Sequence, residues 1–406
     1  MTPKPPKQFT KCFTQQSPLP SAAHTAAMAV LEHGRLHRYS RRSGEVTETA
    51  RLETEFAGWQ GARYCLAVAS GGYAMACVLR ALTVNRQMPV LTNAFTLAPV
   101  PGAIIAAGAR PILVESRADL VIDFSDLESK IATTGSRFLL LSHMRGHICN
   151  MDRLMDICRV HDVVVIEDCA HTMGASWRGV RSGMHGTAAC FSTQTYKHMN
   201  SGEGGLITTD DPALMARLIM LSGSYMFYDQ HSAGPGADCY RDVALDIPNM
   251  SGRMDNLRSA ILRPQLKRLD PSCRAWNERY RALECALEAC PAIATISRPA
   301  DEEFVGSSIQ FRLPGCSQGT AQGMVESCRE RGVILHWFGR EDPVGYTSKF
   351  SSWHYCQDQS CPQTLTVLSD LFDMRIPLTF TLDDCRTLAE IIIDCVEQLA
   401  RSQGSG

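Results

Sequence analysis

The sequence predicts an open α/β fold, and three observations carry that reading. Short apolar runs alternate with helix-patterned segments between about 60 and 210, the runs end in polar residues, and the pattern changes between Pro264 and Pro271. PILVES (111–116), FLLLSH (138–143) and VVVIED (163–168) are continuous apolar runs. Such runs are expected for parallel strands buried on both faces. MDRLMDICRVHD lies between the last two and has helical spacing. Strands alternating with helices in this way argue for an open sheet.

In chain order, residues 1–20 are rich in Pro and Lys and read as an N-terminal arm. CLAVAS (65–70) predicts a strand ending at a Gly pair, and YAMACVLRALT predicts the following helix. PVLTN (89–93) is a strand, and APVPGAIIAAG a short helix opened by prolines. AACFST (188–193) and GLITT (205–209) add two strands. Residues 210–262 read as helix, irregular loop, then helix. Beyond Pro264 come a helix over 272–290, a strand SSIQFRLP (307–314) and a helix over 319–331. A strand VILHWF (333–338) and helices over 362–372 and 381–402 follow. The expected division is an arm (1–20), a large α/β domain (21–264), a smaller C-terminal α/β domain (265–402) and a tail (403–406).

Bulk composition narrows the function classes. Lys plus Arg is 40 against Asp plus Glu 42, a formal net charge of −2. That balance gives no footprint for a polyanion, so no nucleic-acid partner is expected. The N-terminus lacks the apolar core of a secretory signal, and the apolar stretches fall short of the ~20 residues of a membrane span. The 17 cysteines are scattered and mostly sit in apolar runs, such as Cys65, Cys158 and Cys395. They read as reduced, buried thiols of a cytoplasmic protein. The pairs Cys285/Cys290 and Cys356/Cys361 have zinc-compatible spacing but lack a second nearby Cys/His pair, so no metal is expected.

The chemistry-bearing residues concentrate between 163 and 205. Asp168 ends a buried strand, where open α/β sheets bind ligands. A carboxylate there can hold a cation or cap the next turn. Lys197 follows another strand. Most lysines are solvated charges, but this one stands between Ser192 and the glycine-rich SGEGG (201–205). An amine nucleophile must be deprotonated, and burial or nearby cations achieve that. The glycines allow a close approach to a ligand or simply a turn. Ser70-Gly71-Gly72-Tyr73 stands between strand and helix, where backbone N–H groups favour an anion. Phe95 can stack on a planar ring or belong to the core.

These pieces have a recognisable order: SGGYAM, NAFTLAPVPGAIIAAGARPILVE, VVVIEDCAHTMGA, GTAACFSTQTYKHMNSGEGGLITTDD and RMDNLRSAILRPQLKRLD. From about Glu48 to Asp270 the chain resembles the DegT/DnrJ/EryC1/StrS aminotransferases, with IPL (376–378) a fainter echo. The resemblance implies a fold-type-I enzyme with a large seven-stranded, mainly parallel domain and a smaller C-terminal α/β domain. It implies pyridoxal 5′-phosphate as cofactor and a homodimer with active sites at the interface. By the same transfer, Lys197 carries the cofactor as a Schiff base and then acts as general acid–base. Asp168 pairs with the pyridine nitrogen, and His171 lies beside the ring. Ser192 holds the phosphate, Gly71, Gly72 and Tyr73 cradle it through backbone N–H groups, and Phe95 stacks on the ring.

The implied reaction moves an amino group from Glu or Gln to a keto-sugar or keto-cyclitol in biosynthesis. A racemase, lyase or elimination reaction on an amino-acid-like substrate uses the same Lys and Asp and stays open. Family members that dehydrate sugars have His at the lysine position, so Lys197 argues against that branch. The chain departs from the family pattern in three places. Ser70-Gly71-Gly72 replaces Ser-Gly-Thr, and Glu115 replaces Asp. Ser251-Gly252-Arg253 replaces the Asn-Tyr-Arg that reaches the partner's phosphate, leaving Ser251 or Asn249 for that contact. For the substrate, Arg253 is a candidate anion contact. His336 and Trp337, with Arg340, are candidates from the aromatic stretch 336–356.

Overall fold

A computed structural model of the chain describes residues 6–85, 87–241, 243–345, 349–356 and 359–403. The first five residues of the expected arm, residues 346–348 of the aromatic stretch and residues 404–406 of the expected tail lie outside the described residues. Two helices, α1 (Ser21–His33) and α2 (Glu48–Gln60), precede the first strand. Strands and helices then alternate through β1 (Tyr64–Val68), α3 (Gly71–Ala81), β2 (Pro89–Asn93), α4 (Pro99–Ala106) and β3 (Arg110–Val114). The alternation continues through α5 (Phe124–Thr134), β4 (Phe138–Ser142), α6 (Met151–Val160) and β5 (Val164–Asp168). A short ribbon, β6 (Ser176–Trp177) and β7 (Val180–Arg181), leads to β8 (Ala188–Ser192), β9 (Gly205–Thr209) and α7 (Pro212–Ile219).

Seven of these strands form one sheet in the order β1-β9-β8-β5-β4-β2-β3. All run in one direction except β9, which is antiparallel to both β8 and β1. The apolar runs are continuous because alternate side chains enter two different cores. Leu139, Leu141 and Val165 face one core, while Leu140 and Ile166 face the other. Each such side chain, fully buried, contributes roughly 1.5–3 kcal/mol. The helices are locally encoded as well. Asn150 accepts the Arg153 N–H to cap α6, whose Met151, Leu154, Ile157 and Cys158 form its buried stripe.

The second half contains α8 (Asn256–Leu266), α9 (Leu269–Leu287), β10 (Ala294–Thr295), β11 (Glu302–Glu303), β12 (Ser308–Arg312), α10 (Gln318–Glu330) and β13 (His336–Trp337). It ends with α11 (Pro362–Ser369), β14 (Leu371–Arg375) and α12 (Leu382–Gln403). Its antiparallel sheet has the order β10-β12-β14-β13. Tyr280, Phe311, Phe372 and Ile392 belong to the core between this sheet and its helices. β11 pairs with β6, which ties the two halves together.

Two expectations are corrected here. The helix expected over 362–372 stops at Ser369, and Leu371–Arg375 is a central strand. Leu, Phe and Met carry no local preference strong enough to forbid a helix, and pairing with both β12 and β13 decides. The strand expected over 333–338 is paired only at His336–Trp337. Neither Pro264 nor Pro271 breaks a helix, since one lies in the last turn of α8 and the other in the first turn of α9. All 17 cysteines are free thiols, and among the described residues no helix is long and apolar enough to cross a membrane.

β1 is an edge strand, and its outer side is covered by the backbone of residues 252–254 and by a buried charge pair. The Ala67 N–H donates to Glu53 at 2.8 Å, and Arg38 donates to the Ala67 carbonyl at 3.3 Å. Arg38 and Glu53 pair at 2.8 Å, both almost wholly buried. The Arg38 guanidinium, with His231 at 3.3 Å, holds the Glu53 carboxyl down at about 2 against the opposing effect of burial. This pair blunts the edge and fixes the turn from β1 into α3. Glu53→Gln leaves Arg38 buried without its counter-charge, at a cost of about 3 kcal/mol or more. The urea midpoint falls accordingly at unchanged slope; an unchanged midpoint contradicts this role.

Candidate active site

The carboxyl ends of β1, β4, β5 and β8 open into one cavity of about 430 Å³, which Lys197, Asp168, His171, Ser192, Gly71 and Gly72 all line. The position follows from the sheet. Side chains alternate along β5, so Glu167 and Asp168 face opposite ways. Glu167 accepts backbone N–H groups from Gly183, His185 and Gly186 and lies 3.0 Å from His143. These bonds hold the strand end, and Asp168 projects into the cavity. His143, Glu167 and Cys169 meet closely, but the Glu167 oxygens are already engaged in that clamp.

Asp168 accepts from the Ser142 hydroxyl and from the Ala170 N–H, both at 3.1 Å. Burial raises its pKa, against the lowering effects of the Ala170 N–H and of Lys197 nearby. Lys197 lies in the turn after β8, its N–H donating to the Gln194 carbonyl. Its ammonium form is disfavoured by burial, opposed by Asp168 and assisted by Arg145 and Arg375, and its pKa falls to about 7. The Lys197 Nζ lies 2.7 Å from His171 Nε2. His171 Nδ1 accepts the backbone N–H of Arg145 at 3.1 Å. Burial also pushes the imidazole pKa well down, so it is neutral. A neutral ring that accepts at Nδ1 carries its proton on Nε2, which then donates to the lysine lone pair. The geometry therefore selects the free amine of Lys197.

The remaining expected residues fall into two groups. Gly71, Gly72 and Ser192 stand together at the N-terminus of α3, where Ser70 caps the helix by accepting the Tyr73 N–H. The Tyr73 side chain points away, while its N–H stays at this turn and donates to Ser70. Its hydroxyl donates to the Met250 carbonyl, and its ring lies against Gly252, where a Cβ would come within 2.1 Å of it. Phe95 does not face the cavity; it is 1% exposed and packs edge-on to Phe338 at 5.1 Å. Leu97 takes the place on the cavity wall. Arg253 bridges Val68 and donates to the Gly223 carbonyl, and Ser251 beside it is exposed. Trp337 donates to the Ser369 carbonyl, and His336 faces Asp373 across β13 and β14. None of these four lines the cavity.

Glycines of the SGEGG turn serve the backbone. Gly205 brings β9 so close to Ser70 that a Cβ would lie 2.5 Å from that residue's carbonyl. Glu115 reaches across to α11, accepting the N–H groups of Gln363 and Thr364 at 3.1 and 2.7 Å. The sequence reading missed Ser142, Tyr196, Arg145 and Arg375, all of which line the cavity. The strand-end rule that found Asp168 also covers Ser142 and, just past β4, Arg145. No local pattern marks Arg375.

A mainly parallel sheet with a buried lysine amine opposite a buried carboxylate, joined to a small C-terminal α/β domain, is the architecture of fold-type-I pyridoxal-phosphate enzymes. The sequence profile of the DegT/DnrJ/EryC1/StrS aminotransferase family matches residues 26–393. The chain belongs to that family. It is 32% identical over 238 residues to the GDP-perosamine synthase of Caulobacter vibrioides, spanning 57% of this chain and 61% of that protein's length. It is 27% identical over 365 residues to the 3-amino-5-hydroxybenzoate synthase of Amycolatopsis mediterranei, 86% of this chain and 89% of that one. The solved structure of a 3-amino-5-hydroxybenzoic acid synthase superposes with a TM-score of 0.79 at 24% identity, over 97% of this chain and all of that one. Family and fold imply dependence on pyridoxal phosphate.

The residues present fit that group. A helix N-terminus with Ser192 suits its phosphate. Asp168 suits a protonated ring nitrogen, and the neutral Lys197 suits its aldehyde. Since the free amine is the nucleophile, covalent uptake of pyridoxal phosphate by cofactor-free protein speeds up as pH rises through about 7 and levels off above it. Borohydride trapping across pH measures this. A rise centred near the ~10.4 of an ordinary lysine contradicts the site's electrostatics.

Proposed function

We propose that the protein is a pyridoxal-phosphate-dependent aminotransferase that moves an amino group from Glu or Gln to a keto-sugar or keto-cyclitol. The observation that carries this reading is the contact between the neutral Lys197 amine and His171, opposite the buried Asp168. Pyridoxal phosphate, when bound, supplies an electron sink that acidifies a C–H bond next to an attached nitrogen.

Lys197 would take the proton from the donor's α carbon and return it to the carbon on the other side of the nitrogen; the keto acceptor would run the same transfer in reverse. A pKa of about 7 suits an amine that must both accept and release that proton. His171 keeps the amine oriented, since its own proton is directed onto Lys197 by the Arg145 N–H behind it. Asp168 is placed to hold the ring nitrogen's proton, and Ser142 and Ala170 stop the carboxylate from rotating away. Ser192, Gly71 and Gly72 hold the phosphate, and the helix dipole of α3 favours its charge. The printed names of the relatives, which make amino sugars and an aminated ring acid, support an amino-group acceptor with a ring. By the same family reading the enzyme works as a homodimer, and its free thiols suit a cytoplasm.

An absorption spectrum of the protein with pyridoxal phosphate tests the reading. A near-visible band forms and bleaches when Glu or Gln is added. Lys197→Ala abolishes the bleaching or slows it by about 10²–10⁴-fold, the usual contribution of a positioned acid–base group. A band that no donor bleaches sinks transamination, and no band at all sinks the cofactor assignment.

A further inference from the structure

Two arginines share the cavity with Lys197 and come from opposite halves of the chain: Arg145 follows β4, and Arg375 ends β14. Arg145 has left-handed backbone, with φ 55°. Non-glycine residues adopt that conformation rarely, and it concentrates at functional sites. Here it turns the Arg145 N–H onto His171. The side chain is nearly buried and pairs with Asp373 at 2.9 Å. Asp373 in turn accepts from Gln310 at 2.7 Å, so the guanidinium is anchored at the boundary between the halves. Alternation along β14 puts Asp373 and Arg375 on one face. The Arg375 guanidinium lies 3.8 Å from the centre of the Tyr196 ring, next in sequence to Lys197. A guanidinium presents its N–H groups in one plane, the geometry that matches a carboxylate.

Charge is arranged by depth. The guanidinium groups lie close enough to Lys197 to disfavour its protonation. The acids lining the cavity are Asp168, buried at its floor, and Glu203, which is exposed. Leu97, Pro99 and Val100 add apolar wall. An extended diphosphate reaching outwards would meet the exposed acid and apolar surface, whereas a compact anion close to the reacting carbon would meet the arginines. We propose that Arg375, with Arg145, forms a carboxylate subsite for the keto acceptor, so that the acceptor is a compact cyclic keto acid rather than a nucleotide-linked sugar. This rests on the aminotransferase reading above and narrows its substrate class.

Calorimetry on the cofactor-loaded protein tests it with three probes: cyclohexanecarboxylate, its uncharged analogue cyclohexanecarboxamide, and UDP. The carboxylate binds, and Arg375→Gln weakens it roughly tenfold or more, the loss expected for a charge-assisted pair. Arg375→Lys recovers part of the affinity, and the amide and UDP bind far more weakly than the carboxylate. Arg145→Gln acts in the same direction, but it also strips Asp373 of its partner, so Arg375→Gln carries the test. Failure of the carboxylate to bind, indifference to Arg375→Gln, equal binding of the amide, or tighter binding of UDP overturns the proposal. A normal cofactor band and donor reaction with any of those results defeats this proposal alone; a missing band defeats the aminotransferase reading.

Discussion

Everything at the cavity depends on holding a largely buried carboxylate, Asp168, at its wall. Burial raises its pKa. Its oxygens are met by Ser142 and by the Ala170 N–H, and Lys197 lies within electrostatic range. The residue before it, Glu167, is clamped by three backbone N–H groups, so the strand end cannot swing. With that end fixed, the turn after β8 can set Lys197 against His171, and the protonation states of all three follow from one another.

The same logic extends outwards through buried charged groups that tie elements together. Arg38 and Glu53 help cover the outer side of β1, which delivers Ser70, Gly71 and Gly72 to the cavity. Arg145 and Asp373 join the end of β4 to β14, so the small sheet is fixed relative to the lysine. Glu115 caps α11 from β3 and fixes the approach to β14. Each pair is buried, so each is costly to break and sets one position well. The first two set positions that border the cavity.

Much of this was legible in the chain. The strands with two apolar faces announce themselves as continuous runs, and Asp168, His171, Ser192 and Lys197 stand in a motif whose order survives in the sequence. Other readings failed for physical reasons. Phe95 has the residue type of a stacking ring, but it packs on Phe338, a residue of the other half. Leu371–Arg375 looks like the tail of a helix until β12 and β13 claim its backbone.

By itself the sequence determined what local pattern can encode: the alternation of strands and helices, the helix caps, and the family motif around Asp168 and Lys197. These depend on side chains a few positions apart, whose spacing is written directly in the order of residues. Only the tertiary structure decided that Arg145 and Arg375 share a cavity with Lys197, and that the lysine's pKa falls to about 7. Those are properties of groups far apart in the chain, set by burial and by charges that meet only when the two halves pack, because electrostatic effects grow as water is excluded.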